Sequence, residues 1–147
     1  MTCLALLALT TWMAACSDDD STTEPTLDSK EVVLVNDTSG SAADAGLVKF
    51  QELADGNASI QIQLDSPYRN TELSYPAAIV SYDSVLLRDS VYADLGTLSG
   101  TSGLLSVSPV IWKSTNEPIS YDSLFSLQGY RVRIGVDTLV EAEAAIQ

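Results

Sequence analysis

At 147 residues the chain has room for one domain of ordinary size plus appendages. A hydrophobic fraction of 46% is enough for a packed core, while 20 acidic against 7 basic residues leave a net charge of −13. That charge repels nucleic acid and anionic lipid surfaces. It excludes nucleic acid as a partner and leaves basic ligands, divalent cations or plain solubility as reasons for the acidity.

The first segment, MTCLALLALTTWMAAC, is uncharged and apolar from Cys3 to Leu9. It is shorter than the roughly 20 residues a permanent helical span needs. An apolar run ending in small residues fits the h-region and cleavage site of a signal peptide, although no basic residue precedes it. At its end, Met13-Ala14-Ala15-Cys16 resembles the bacterial lipobox, in which the cysteine is lipidated and becomes the mature N-terminus. Each buried methylene of an acyl chain contributes about 0.8 kcal/mol, so several chains hold a protein on a membrane durably. Cys16 is thus expected to be a lipid anchor. A plain secretory cleavage after Ala15 and a buried free thiol are the alternatives, and the apolar run directly before Cys16 favours lipidation. The signal segment, residues 1–16, ends at that cysteine, and cleavage just before it leaves Cys16 with no second thiol for an intramolecular disulfide.

Ser17-Asp18-Asp19-Asp20 resembles the acidic export signal that sends lipoproteins to the outer face of a Gram-negative outer membrane. A solvated linker is the plainer reading, and the two are compatible. Residues 17–30 are mostly Ser, Thr, Asp, Glu and Pro, a composition that cannot build a core and reads as a disordered tether. The folded domain is expected over 31–147. The address is the outer membrane, at the cell surface or, as the alternative, on its periplasmic face.

Period-two patterning dominates from Glu31 onward. EVVLVN is a short apolar run rich in β-branched residues, expected as a strand buried on both sides. Val48 and Phe50 alternate with Lys49 and Gln51, and ASIQIQL sets Ile60, Ile62 and Leu64 against Ser59, Gln61 and Gln63. Ala54-Asp55-Gly56-Asn57 between them supplies turn residues tolerant of positive φ, which predicts a hairpin. In LLSVSPVIW, Leu105, Val107, Pro109 and Ile111 oppose Ser106, Ser108, Val110 and Trp112, and Pro109 points to an edge strand or a bulge. ISYDSLFSLQGY predicts one short helical turn, with Ser120 as cap, Asp122 in the first turn, Leu124 and Leu127 on one face, and Gly129 to stop it. YRVRIGV points Val132, Ile134 and Val136 inward and Arg131 and Arg133 outward. About seven short strands with closely spaced turns predict an all-β antiparallel sandwich of the immunoglobulin-like Greek-key kind. SYDSVLL at 81–87 echoes SYDSLFS at 120–126, but the flanks differ and the echo reads as coincidence.

The succession VKFQELADGNASIQIQLDS, YPAAIV, YADLGTLSG and ISYDSLFSLQGYRVRIGVDTLVEAEAAIQ resembles the CHRD domain, named after chordin and also found in bacterial secreted proteins and lipoproteins. The likeness covers roughly Leu47 to Gln147. It implies a sandwich similar to the copper/zinc superoxide dismutase architecture and implies no particular activity. Where that family typically reads PAHIH, this chain reads Pro76-Ala77-Ala78-Ile79-Val80, and Arg133 stands at a third histidine position.

The chain has no histidine, so an imidazole copper or zinc site is excluded, and a single mature cysteine excludes a thiolate site. Asp83, Asp89, Asp94 and Asp122 are the acids that could pair for glycoside hydrolysis or collect calcium, yet no EF-hand spacing occurs, and loop carboxylates in acidic β proteins are ordinarily solvated. The serines lack both a histidine and a G-x-S-x-G elbow. Trp112, Tyr75, Tyr82, Tyr92 and Tyr121 would stack on sugars if they shared an exposed face; filling the core is the commoner role. The expectation is a non-enzymatic, cofactor-free, lipid-anchored domain that binds a protein or glycan, or acts as a spacer. The alternative is an accessory enzyme or metal protein that has lost its histidine site.

Overall fold

The computed structural model describes residues 27–36, 42–83, 88–136 and 139–147. The signal segment, Cys16 and the export residues Ser17, Asp18, Asp19 and Asp20 lie outside the described residues. Eight strands follow in chain order: β1 (Ser29–Asn36), β2 (Ala43–Glu52), β3 (Ala58–Leu64), β4 (Ser74–Asp83), β5 (Arg88–Ser99), β6 (Leu104–Val107), β7 (Tyr130–Val136) and β8 (Leu139–Ala145). Among the described residues one short helix, α1 (Tyr121–Ser126), precedes β7, and a 3₁₀ turn spans Ser66–Tyr68. The fold is all-β and antiparallel.

All eight strands belong to one hydrogen-bonded sheet in the order β5-β4-β7-β8-β1-β2-β3-β6. Its two outermost strands, β5 and β6, are consecutive in sequence. The Gly103 N–H donates to the Ser99 carbonyl at 2.7 Å and the Lys113 N–H to the Tyr92 carbonyl at 2.9 Å, which brings the two edges together and nearly closes the sheet. The coiling has a local cause in register shifts at Leu34/Val35, Ala77/Ala78, Ile79/Val80 and Ile134/Gly135, since an extra residue on one strand bends and twists it.

The concave face holds the core. Leu34, Val48, Phe50, Ile60, Ile62, Leu64, Ile79, Leu98 and Ile134 are fully buried there. Period two supplies them: β3 buries Ile60, Ile62 and Leu64 and exposes Gln61 and Gln63. Its hairpin with β2 runs in continuous register from Gly46↔Leu64 to Glu52↔Ala58, and Gly56 takes φ +78° in the turn. Ser59, expected outward, is buried, and its hydroxyl donates to the Gln51 carbonyl at 3.2 Å.

Helix α1 packs against this core. The Ser120 hydroxyl caps it by accepting from the Ser123 N–H at 3.2 Å, and Asp122 lies in the first turn. Phe125 meets Phe50 edge-on at 5.2 Å, while Leu124 is fully buried. The helix ends at Leu127 rather than at Gly129, whose φ of +77° serves the turn into β7. The segment SYDSLFS is therefore helical, whereas Ser81-Tyr82-Asp83 of its echo ends strand β4, so the two do not form a structural repeat.

Three further expectations are corrected. Strand β1 is not buried on both sides: Val33 is 42% exposed, because β1 lies within a sheet covered only on its concave face. Strand β1 also begins at Ser29, taking in two residues assigned to the tether. Finally, Val110 is fully buried, although the alternation of LLSVSPVIW placed it outward. Regular pairing stops at Val107, and the chain then re-pairs, with the Val110 N–H donating to the Ala58 carbonyl and the Ile119 N–H to the Val110 carbonyl, each at 2.9 Å. The phase of the strand is not carried past Pro109.

Candidate functional site

The outer face of β5-β4-β7-β8 concentrates the charge chemistry of the domain. In β7, burial of Val132 and Ile134 forces Arg131 and Arg133 outward. Register then sets Arg131 beside Val80 of β4, and Arg133 between Ala78 of β4 and Glu143 of β8. Ala78 and Val80 are short, so both guanidinium groups pass over β4 and reach Asp89 on β5.

The result is a closed ring of four alternating charges. Arg131 Nη2 donates to Asp89 Oδ1 at 2.6 Å, and Arg133 Nη1 pairs with Asp89 Oδ2. Arg133 Nε donates to Glu143 Oε1 at 2.7 Å, while Arg131 Nε lies 3.1 Å from Glu143 Oε2. That last contact is an ion pair without hydrogen-bond alignment, and Arg131 Nε is a buried donor left unsatisfied. The four side chains retain only 17–33% of their exposure. Burial pulls Arg133 down, but the hydrogen bond and charge of Glu143, joined by Asp89, outweigh it and hold the guanidinium above its ordinary value. A guanidinium so held cannot act as a base at neutral pH.

Beside the ring, a groove of about 250 Å³ runs over Ala78, Val80 and Val91 between Asp94, Lys113 and Arg133. It adjoins a wider opening of about 610 Å³ that Arg88 also lines. Arg88, Lys113, Arg131 and Arg133 thus gather four of the chain's 7 basic residues on one face. Arg88 and Lys113 are exposed and have no ion-pair partner among the described residues.

The sequence-derived candidates scatter. Tyr75 is buried, its hydroxyl accepting from the Asn70 N–H at 3.0 Å, and Tyr121 is buried against Phe125 at 4.9 Å, so both belong to the core. Burial, followed by the nearby charges of Asp28, Glu52 and Asp122, raises the Tyr121 phenol above its ordinary value. Trp112 is half-buried and packs on Tyr92 at 4.1 Å, and Tyr92 meets Tyr130 at 4.4 Å. Burial and then Tyr130 push the Tyr92 phenol up to about 12. Only Tyr82 stands free, 56% exposed, across from Asp89.

Of the four acids, Asp89 joins the ring, Asp94 accepts from the Gly96 N–H at 2.8 Å, and Asp122 is exposed in α1. Asp83 ends β4. Among the described residues no three His, Cys, Asp or Glu side chains are grouped to hold a metal ion, and no helix is long and apolar enough to cross a membrane. Glu143 is the ring member sequence reasoning missed. Its signal was the alternation of Glu143 with Ala142 and Ala144 in EAEAA, which marks an outward position on a strand.

The fold and this face define an antiparallel β domain with a charge-lined outer surface. No protein-family model matches the chain, and no curated protein or solved structure is significantly similar to it.

Proposed function

We propose that the chain is a lipid-anchored protein of the bacterial outer membrane, held through Cys16, whose domain is a non-catalytic binding module of CHRD type. The observation that carries this reading is the placement of Ala78, Val80 and Arg133. These three positions, at which the resembled family bears histidine, are separated in sequence yet adjacent on one outward face. There the Asp89–Arg131–Glu143–Arg133 ring takes the place of imidazole. Such a ring is electrically balanced and fixed in geometry, which suits recognition of a protein or glycan rather than proton transfer. The MAACSDDD segment supports the anchor, and the acidic tether leads directly into β1.

Metabolic labelling with radioactive palmitate, combined with protease shaving of intact cells, tests this. The native chain is expected to take up label and lose its domain to protease from sealed cells. Cys16→Ser is expected to lose label and leave the membrane fraction. Membrane retention of Cys16→Ser would rule out lipid anchoring, and protection from protease until the outer membrane is opened would place the domain in the periplasm.

A further inference from the structure

The outer face of the other half of the sheet has the opposite character. Cross-strand register aligns Val33 of β1 with Leu47 of β2, Leu47 with Gln63 of β3, and Gln63 with Leu104 of β6. Val33 at 42%, Leu47 at 43% and Leu104 at 57% exposure are three of the large hydrophobic side chains left in solvent, and they occupy a single row. The next outward row is Glu31, Lys49, Gln61 and Ser106. A groove of about 290 Å³ opens between the rows, with Leu47, Gln61 and Leu104 in its walls. Glu31 and Lys49 are the charges of these two rows, so in a chain of net charge −13 this patch is neutral. Neither has an ion-pair partner among the described residues.

We propose that this face binds a second copy of the same chain about a two-fold axis. Charge selects the occupant. With a net charge of −13 two copies repel each other overall, whereas this patch offers one carboxylate and one ammonium on neighbouring strands. A two-fold rotation sets Glu31 of each copy against Lys49 of the other, giving two ion pairs from one patch. The same rotation brings the apolar rows together, and Leu104, the most exposed of them, stands at the sheet edge where it can enter the facing groove. Four strands spaced about 4.8 Å apart, with two outward residues each, give a footprint of roughly 260 Å². That is about a third of what each partner contributes to a standard stable interface, so the dimer is a weak and reversible one.

Sedimentation equilibrium of the full chain carrying Cys16→Ser, which removes the acyl chains, tests the proposal. The expected result is a monomer–dimer equilibrium with a dissociation constant of order 10–100 µM. Leu47→Lys with Leu104→Lys is expected to raise it more than tenfold with an unchanged thermal melt. Glu31→Lys is expected to weaken association severalfold by facing Lys49, and Glu31→Lys with Lys49→Glu to restore it. Because that pair of substitutions is neutral in net charge, rescue reads the contact itself rather than folding. A chain monomeric at about 500 µM, association indifferent to the leucine substitutions, or a charge swap that fails to rescue would each overturn the proposal.

Discussion

Arg133 and Asp89 sit on strands that are not neighbours in the sheet, yet their side chains pair across the intervening strand β4. Two consequences follow from this span. It ties β5, one of the two edges of the sheet, to β7 independently of the backbone ladder, and it depends on the shortness of the side chains beneath it. Asp89→Ala leaves two partly buried guanidinium groups sharing Glu143 alone. The expected loss is about 1–2 kcal/mol, below that of a fully buried pair because the ring keeps some solvent contact. A double-mutant cycle of Asp89→Ala with Arg133→Ala, followed by thermal circular dichroism, is expected to show coupling of about 1 kcal/mol. Additive effects would mean that solvent screens the ring.

How much of this arrangement could be read from the sequence depended on the range of the interaction. The β2–β3 hairpin was legible because Val48, Phe50, Ile60, Ile62 and Leu64 keep one phase and Asp55-Gly56 marks the turn. Strand β5 was not, because it buries Ala93, Leu95 and Leu98, a spacing of two and then three produced by its bulged pairing with β4. The outward direction of Arg131 and Arg133 followed from local alternation. Their partner Asp89 did not, because a contact across an intervening strand depends on strand order, which no local pattern encodes.

Alkaline stability is expected to follow Tyr92. Its phenol is raised to about 12, mainly by burial, against 10.0 for the ordinary group. The folded state therefore holds its proton more tightly than the unfolded chain. That stabilisation is complete below pH 10 and is lost as pH rises through about 12. Urea titrations at stepped pH are expected to show stability falling across this window in the native chain and falling less in Tyr92→Phe. An equal decline in both would assign it to other groups.

Two glycines are expected to differ in what a methyl group does to them. At Gly46 an added Cβ would lie 2.0 Å from the carbonyl oxygen of Gln63, so strands β2 and β3 would have to separate. At Gly56 nothing lies within 4 Å, and only the φ of +78° resists substitution. Gly56→Ala is therefore expected to cost about 1 kcal/mol and Gly46→Ala about 3 kcal/mol or more. Denaturant midpoints of the two variants check the order; equal midpoints would contradict the close approach of the two strands.

The convergence of Ala78, Val80 and Arg133 can be tested by giving those positions a chemistry that reports distance. Ala78 and Val80 are two apart on β4 and face the same side, and Ala78 is the direct cross-strand partner of Arg133 on β7. Cross-strand neighbours hold their Cβ atoms about 5 Å apart, and alternate residues on one strand are about 7 Å apart. Three imidazoles on such a triangle can meet one zinc ion, at about 2.0–2.1 Å from each nitrogen, and leave a fourth position to water. The variant Ala78→His, Val80→His, Arg133→His is expected to bind one zinc per chain in equilibrium dialysis and to gain thermal stability from it. Arg133→His alone has one imidazole and is expected to bind at least a hundredfold more weakly, because a single nitrogen donor cannot enclose the ion. Zinc uptake by the triple variant no stronger than by the single one would mean that the three positions do not share a face. The register Ala78↔Arg133 and the reading of this surface as a replaced histidine site would then fall together.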